Sequence, residues 1–208
     1  MEKYVITGGP STGKTTTLES IASRGYETVD EPARIIINQE KAKQKADLGY
    51  TPILPETHLR EFQNLIYPMQ LNLESNIKSD RTFLDRSLVD GIAYTELGGT
   101  KPPSQVYNWI EQSNYTKVFF LEQLPFYKKD DARWEDAEQG LAIHNKLYEV
   151  YDRLGYDVIK VPFFDGSTPQ EGIEARTDFI LKHIPSDHYG LDKQDKLEKV
   201  VEYAWKGS

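Results

Sequence analysis

The fold of this 208-residue chain is decided by one stretch near its N-terminus, residues 4–15 with the sequence YVITGGPSTGKT. Residues 4–7 are apolar and β-forming, and this run stops at two consecutive glycines. Residues 8–15 fit the pattern G-x-x-x-x-G-K-S/T, in which a glycine-rich loop joins a strand to a helix. Leu18 and Ile21 then recur at helical spacing. The stretch therefore predicts a strand, a phosphate-binding loop (P-loop) and a helix, in that order.

The P-loop is expected to hold a nucleoside triphosphate, with ATP or GTP as the nucleotide. Its glycines let successive N–H groups point at phosphate oxygens, and the following helix adds the positive end of its dipole. Lys14 would reach the β- and γ-phosphates, and the Thr15 hydroxyl would hold Mg²⁺. A glycine-rich turn without a ligand is the alternative. The predicted nucleotide-binding residues are Gly8, Gly9, Pro10, Ser11, Thr12, Gly13, Lys14, Thr15 and Thr16.

Strand-like and helix-like segments alternate along the rest of the chain. The alternation indicates an α/β fold: a P-loop NTPase three-layer sandwich around a mostly parallel five-stranded sheet. Residues 1–184 are expected to form one domain, and residues 185–208 an appended helix or a tail. The predicted strands are residues 4–7, 27–29, 82–84, 117–121 and 157–161. The predicted helices follow Gly13 and cover residues 33–47, 59–77, 88–97, 106–110, 142–154 and 173–183.

The composition restricts the class of protein. The chain has 33 acidic and 25 basic residues, a net charge of −8, which disfavours a general binder of nucleic acid or anionic membranes. It has no cysteine, which excludes disulfides and thiolate metal sites and fits a reducing compartment. The apolar run at residues 118–121 is far shorter than the roughly 20 residues of a membrane span. We therefore expect a cytoplasmic protein without a membrane partner, as a monomer or a homodimer.

An acidic residue follows the third predicted strand. Asp85 stands where that strand ends, in the sequence Asp85-Arg86-Ser87. Ligands of open α/β sheets bind at this edge, and a carboxylate there can hold Mg²⁺ directly or through water. The alternative is that Asp85 caps the helix that begins near Ser87. Asp85 and Thr15 are accordingly the predicted Mg²⁺ ligands.

Three further segments carry a family resemblance. They are residues 30–34 (DEPAR), residues 85–87 (DRS) and residues 130–135 (DDARWE), and Arg176 on the last predicted helix also matches. With the P-loop, they resemble the AAA-type predicted ATPase/kinase family related to nicotinamide-riboside kinase domains. They are also similar to deoxynucleoside and thymidylate kinase-like proteins. The resemblance covers about residues 2–184 and implies a fold of the nucleoside/nucleotide kinase type.

The resemblance also implies roles for individual residues. Glu31 would accept the proton of the substrate hydroxyl, and Arg86 would steady that carboxylate or the acceptor. Arg133 would close over the phosphates from a lid, and Arg34 would contact phosphate or form an ion pair. Gln63 would read a nucleobase edge, since an amide both donates and accepts hydrogen bonds. For each of these residues the alternative is an ordinary role as an ion pair, a helix-terminal acid or an exposed polar side chain.

Two functions fit these observations. The first is a kinase in which Lys14, Glu31, Asp85, Arg86 and Arg133 transfer the γ-phosphate of ATP to a small-molecule hydroxyl or phosphate. The acceptor would be a nucleoside, a nucleotide or a vitamin-like compound. The second is a nucleotide-dependent ATPase or GTPase switch that acts through a protein partner. A switch needs the P-loop and Asp85 but not Glu31, so Glu31 discriminates between the two.

Overall fold

The central sheet has five strands, all of them parallel. The computed structural model describes residues 1–124 and 137–185. The strands are β1 (Glu2–Thr7), β2 (Glu27–Val29), β3 (Arg81–Asp85), β4 (Tyr115–Leu121) and β5 (Val158–Val161), in the spatial order β2-β3-β1-β4-β5. The predicted α/β fold with a five-stranded sheet is confirmed, and each of the four strand pairings is parallel.

Seven helices cover the sheet within the described residues. Their boundaries lie within a few residues of the predicted ones, except that the helices containing residues 106–110, 142–154 and 173–183 are longer. The helices are α1 (Lys14–Ser23), α2 (Pro32–Ala46), α3 (Leu59–Ser75), α4 (Leu88–Leu97), α5 (Gln105–Ser113), α6 (Ala137–Arg153) and α7 (Pro169–Lys182).

Strand side chains alternate between two cores, because successive residues of a strand point to opposite faces of a sheet. On one face, Tyr4 and Ile6 of β1 pack with Ile21 of α1 and Ile180 of α7. On the other face, Val5 packs with residues of α3, α4, α5 and α6. These two cores make the three layers of the sandwich. They also leave the carboxyl ends of β1 and β3 side by side, with Ile6 opposite Asp85 in the register.

A third, smaller apolar cluster joins α2 to α3. Ile36 of α2 packs against Phe62 and Ile66 of α3, and Ile53 from the connecting loop packs on the same cluster. None of the described strand residues belongs to this cluster, so it holds the two helices together outside the two main cores. It therefore contributes to the spacing between α2 and α3, which both line the site described below.

The buried face of α3 differs from the one that its apolar spacing predicts. The helix ends at Ser75, so Ile77 lies beyond it, and Leu59, Met69 and Leu73 are only partly buried. Three polar residues, Gln63, Gln70 and Glu74, are buried instead. Glu74 accepts hydrogen bonds from Lys3, Gln70 and Tyr115, which makes its burial tolerable. Partners distant in the sequence thus shift the buried face of α3.

The remaining predictions on organisation concern segments that the structure does not describe. The lid segment with Arg133 and the tail beyond Pro185 lie outside the described residues, so the proposed division at residue 184 stays a prediction. Among the helices of the described ranges, none has the length and apolar character needed to cross a membrane.

Candidate functional site

The P-loop needs glycine at two points for steric reasons. Gly8 has φ +141°, and a Cβ added there would lie 2.6 Å from the main-chain oxygen of Leu121. Gly13 has φ +82° and is the last residue before α1. Residues with a side chain rarely adopt such φ values, so glycine lets the loop turn tightly between β1 and α1. The loop geometry thus matches the sequence pattern that predicted it.

Lys14 is held inside the loop by the loop's own carbonyl groups. It is the first residue of α1 and is buried, and its Nζ donates hydrogen bonds to the main-chain oxygens of Gly8 (3.2 Å) and Gly9 (2.9 Å). Burial, and next the positive charge of Arg86, lowers the pKa of the Lys14 ammonium to about 8. A buried ammonium whose hydrogen-bond partners among the described residues are main-chain carbonyls can exchange them for phosphate oxygens.

Two residues from the C-terminal half of the chain form hydrogen bonds with the main chain of the P-loop. Nη1 of Arg176 donates to the main-chain oxygen of Thr12 (2.6 Å), and its Nε donates to the oxygen of Pro162 (3.3 Å). The Nδ1 atom of His144 accepts a hydrogen bond from the Gly9 N–H (3.2 Å). Sequence reasoning noted Arg176 only as part of the resemblance and gave His144 no role. These contacts with the P-loop join residues that are 135 and 164 positions apart in the sequence, so no local signal could reveal them.

Asp85 is the last residue of β3, at the edge of the sheet where the P-loop also lies. It is buried, and its Oδ1 atom has no hydrogen-bond partner among the described residues. It does not cap α4, since the Ser87 side chain accepts from the Val89 N–H in that role. Burial, and next the negative charge of Glu31, raises the pKa of the Asp85 carboxyl to about 7. A buried carboxylate oxygen without a partner fits a cation ligand, as does the exposed Thr15 at the start of α1.

Glu31 and Arg86 form a shielded ion pair, not a surface one. Nε of Arg86 donates to Oε1 of Glu31 (2.7 Å), and their side chains are 10% and 21% exposed. Arg86 has φ +72°, an uncommon value for a residue with a side chain. Burial alone would raise the pKa of the Glu31 carboxyl, but the positive charges of Arg86 and Lys14 outweigh it and hold that pKa below its ordinary value. Glu31 is therefore a carboxylate at neutral pH.

Asp90, which sequence reasoning missed, holds Arg86 in place. Its Oδ1 accepts from Arg86 Nη1 (3.1 Å) and from the Thr7 hydroxyl (2.6 Å). Its Oδ2 accepts from the Ser87 N–H (2.9 Å) and from the Tyr151 hydroxyl (2.5 Å). One signal could have found it, since Ser87 and Asp90 have the spacing of a capping box. The partners from β1 and α6 could not be read from that spacing.

A cavity of about 550 Å³ joins these elements into one site. It extends from the P-loop to a compartment between α2, α3 and α4, which we term the acceptor side. Nine of the predicted site residues are in its wall: Pro10, Gly13, Lys14, Thr15, Thr16, Glu31, Arg34, Gln63 and Arg86. Asp85 lies next to the wall and Arg133 lies outside the described residues.

Gln63 and Arg34 occupy different parts of the cavity wall. Gln63 is 5% exposed, and its Oε1 has no hydrogen-bond partner among the described residues, so it is not the exposed polar residue of the alternative interpretation. Arg34 is exposed in the first turn of α2, close enough to Glu31 to help lower the pKa of that carboxyl. The roles predicted for both residues remain predictions.

The fold and the P-loop define a P-loop nucleotide-binding protein with the architecture of nucleoside and nucleotide kinases. The sequence model of the AAA domain family matches residues 3–170, and the chain belongs to that family. No curated protein matches the chain in sequence. The match to the family model, together with the solved structures described next, confirms the resemblance predicted from the motifs.

Solved structures of three kinds share the fold. A structure of the NadR protein in complex with NR is 16% identical with TM-score 0.58, covering 89% of this chain and 51% of NadR. Thymidylate kinase from Ehrlichia chaffeensis is 13% identical with TM-score 0.56, covering 87% of this chain and 97% of its own. Deoxyadenosine kinase from M. mycoides is 16% identical with TM-score 0.55, covering 86% and 96%. At these identities the similarity concerns the fold.

Proposed function

We propose that this protein is a kinase that transfers the γ-phosphoryl group of ATP to a small molecule bound on the acceptor side of the cavity. One observation carries the proposal: a single cavity runs from Lys14 of the P-loop to the Glu31–Arg86 pair and Gln63. A nucleotide switch needs the first part of that cavity only. A second compartment, continuous with the phosphates and lined by polar side chains, is what a phosphoryl acceptor requires.

On the nucleotide side, the loop N–H groups and Lys14 would bind the β- and γ-phosphates. Thr15 and Asp85 would hold Mg²⁺, which when bound neutralises charge on those phosphates. The unpartnered Oδ1 of Asp85 supports this assignment. Because Lys14 already lies among main-chain carbonyls, its ammonium needs only a local change of partners to reach a phosphate oxygen.

On the acceptor side, transfer forms a bond between an acceptor oxygen and the γ-phosphorus while the bond from that phosphorus to the β-bridging oxygen breaks. ADP leaves with the electron pair of the broken bond. If the acceptor is a hydroxyl, its proton passes to Glu31, the carboxylate in the wall. If the acceptor is a phosphate, its oxygen is already ionised, and Glu31 acts by orienting Arg86 instead. Gln63 would hydrogen-bond the body of the acceptor.

The comparisons support the class of reaction, since structures of deoxyadenosine kinase and thymidylate kinase have this fold. We infer that the acceptor is a nucleoside, nucleotide or related small molecule. We also infer a cytoplasmic location, where ATP and such acceptors occur together.

The experiment that tests the function is transfer of labelled γ-phosphate from ATP–Mg²⁺ across a library of nucleosides, nucleotides and riboside vitamins. The expected result is a labelled product with at least one acceptor, formed by the wild type and not by Lys14→Ala. If ATP is hydrolysed at the same rate whether or not an acceptor is present, for every acceptor in the library, the result would contradict the kinase function and favour the nucleotide switch. The same reaction without Mg²⁺ is the negative control and should give no labelled product.

A further inference from the structure

The charge of the cavity is opposite to the charge of the chain. Acidic residues outnumber basic ones 33 to 25 in the sequence. In the wall of the cavity the relation reverses, because four cationic side chains face two carboxylates. The cations are Lys14, Arg34, Lys41 and Arg86, and the carboxylates are Glu31 and Asp90. The cavity therefore attracts anions although the protein as a whole repels them.

The nucleotide does not account for all of this positive charge. Lys14 belongs to the P-loop, and Arg86 is neutralised by its contacts with Glu31 and Asp90. Arg34 and Lys41 remain, and no carboxylate of residues 1–124 or 137–185 forms an ion pair with either one. Two cations without an ion-pair partner among those residues thus line the acceptor side, and Arg34 is close enough to Glu31 to help lower the pKa of that carboxyl.

The neighbouring lysines of α2 show that this arrangement is local. Lys43 is paired with Glu40 at 2.6 Å, and Lys45 is exposed outside the cavity wall. Arg34 and Lys41 are seven residues apart on the helix, with Asn38 of the cavity wall between them. At 1.5 Å per residue, their Cα atoms are separated by about 10 Å along the axis. Positive charge therefore extends from the Glu31 end of the acceptor side to its outer part.

We propose that the acceptor of this kinase carries an anionic group, a phosphate or a carboxylate, which Arg34 and Lys41 bind. This inference rests on the proposed function and narrows its substrate class. It favours nucleoside monophosphates and carboxylated ribosides over neutral nucleosides. It disfavours nicotinamide riboside, whose ring is a cation and would be repelled by both side chains.

The two sources of negative charge predict different dependences on the two cations. A phosphate that accepts the γ-phosphoryl group must lie near Glu31 and Arg86, so it would depend mainly on Arg34. A carboxylate on the ring of a riboside would lie at the far end of the acceptor, so it would depend mainly on Lys41. In the first case the product is a diphosphate and no proton is removed. In the second case the riboside hydroxyl gives its proton to Glu31.

The experiment compares matched pairs of probes that differ in charge. The first set is adenosine, guanosine, cytidine and thymidine against their 5′-monophosphates. The second set is nicotinamide riboside against nicotinic acid riboside. Binding of each is measured calorimetrically with a non-hydrolysable ATP analogue and Mg²⁺ present, and transfer is measured with ATP. In the wild type the member of at least one pair that carries the additional phosphate or carboxylate should bind about 10- to 100-fold more tightly than its partner.

The variants Arg34→Ala and Lys41→Ala identify the contact, and Lys45→Ala is the matched control on the same helix. The charge preference should fall by about 10-fold or more in the variant whose cation contacts the anion. It should persist in Lys45→Ala, and affinity for the nucleotide alone should stay at the wild-type level in all three. These residues are exposed, so folding should not be affected.

Several results would overturn the inference. They are preference for the probe that lacks the phosphate or carboxylate, equal preference in wild type and both variants, and absence of binding of any phosphate- or carboxylate-bearing probe at millimolar concentration. Loss of nucleotide affinity in Arg34→Ala and Lys41→Ala without loss of charge preference would also do so. Binding with the expected preference but no transfer would support the anion site while contradicting the kinase, so the two proposals can fail separately.

Discussion

The nucleotide side and the acceptor side of the cavity are built in different ways. The nucleotide side is a contiguous loop, residues 8–15, whose shape comes from glycine backbone and whose cation begins the next helix. The acceptor side is assembled from side chains of α2, α3 and α4, and Glu31 and Arg86 are 55 residues apart. Backbone amides bind any phosphate, whereas converging side chains select one molecule. The comparison explains why motifs identify the nucleotide but not the acceptor.

One main-chain oxygen accepts hydrogen bonds from a residue of each side of the cavity. The main-chain oxygen of Gly8 accepts hydrogen bonds from Lys14 Nζ and from Arg86 Nη1, both at 3.2 Å. Lys14 also interacts electrostatically with Glu31 and Arg86 across this boundary. Because different elements build the two sides, we nevertheless expect substitutions to affect nucleotide binding and phosphoryl transfer to different extents. Four substitutions test this separation, and they follow in order of expected effect.

Lys14→Ala should remove the nucleotide side altogether. Without the ammonium, the triphosphate loses its only buried cation in the loop, and we expect no detectable ATP–Mg²⁺ binding or turnover. Calorimetric titration and labelled-phosphate transfer measure the two effects. Circular dichroism should show an unchanged fold, since the hydrogen bonds of Lys14 to described residues go to carbonyl groups of the loop. Binding at wild-type affinity would mean that the P-loop assignment is wrong.

Glu31→Gln should impair the acceptor side alone. The amide retains the size of the carboxylate but neither accepts a proton nor carries the charge that pairs with Arg86. With a hydroxyl acceptor, transfer should fall by about 10²–10⁴-fold while nucleotide affinity stays unchanged. Asp30→Asn, at the exposed neighbouring position, is the control and should behave as wild type. Unchanged transfer in Glu31→Gln with a hydroxyl acceptor would remove its role as a base.

Asp85→Asn should weaken nucleotide binding and slow phosphoryl transfer, because a Mg²⁺ ion held by Asp85 would contribute to both. We expect about 10- to 100-fold weaker Mg²⁺-dependent nucleotide affinity, together with slower transfer. A magnesium titration of nucleotide binding measures the change, and metal removal with EDTA should make wild type and variant alike. Asp80→Asn, at an exposed position just before β3, is the control. Identical magnesium dependence in wild type and Asp85→Asn would exclude the metal role.

Glu40→Gln should have the smallest effect and should concern the wall of the acceptor side. Glu40 is buried and accepts hydrogen bonds from Lys43, Tyr50 and the N–H of Ile53, so it fixes the loop between α2 and α3. That loop contributes Pro55 to the cavity wall. We expect the free energy of unfolding at pH 7 to fall by about 1–3 kcal/mol.

The pH dependence of stability provides an independent check on Glu40. Its hydrogen bonds from Lys43 and Tyr50 lower its pKa from the ordinary 4.5 to about 2. The stabilisation by this carboxylate is therefore complete above about pH 4.5 and is lost as the pH falls towards 2. Denaturant unfolding should show this loss in wild type and less of it in Glu40→Gln. The control is Glu19→Gln, on the exposed face of α1, which should keep the wild-type dependence of stability on pH. If Glu40→Gln also kept the wild-type dependence, the stabilising role of the Glu40 carboxylate would be refuted.

The sequence predicted the positions of the strands and helices better than it predicted which face of each helix is buried. Strands and helices were predictable because their apolar residues recur with periods of two or about 3.6, which is a local property. The buried Gln63 and Glu74 of α3 broke that rule, because Gln63 lines a cavity and Glu74 binds Lys3 and Tyr115 from other elements of the fold. Asp90 was missed for the same reason, since Thr7, Arg86 and Tyr151 reach it from different elements.

By itself, the sequence determined that the chain forms a parallel α/β sheet with a phosphate-binding loop after β1. Those properties depend on residues adjacent in the chain, where glycine conformation and side-chain periodicity act directly. Only the tertiary structure decided that Glu31 is paired and shielded, and that Gln63 and Asp85 keep buried oxygens with no hydrogen-bond partner among the described residues. It also decided that Arg34 and Lys41 line one cavity, where neither forms an ion pair with a described carboxylate. Burial and charge pairing depend on distances between elements, and those distances are set by the packing of α2 and α3 beside the sheet.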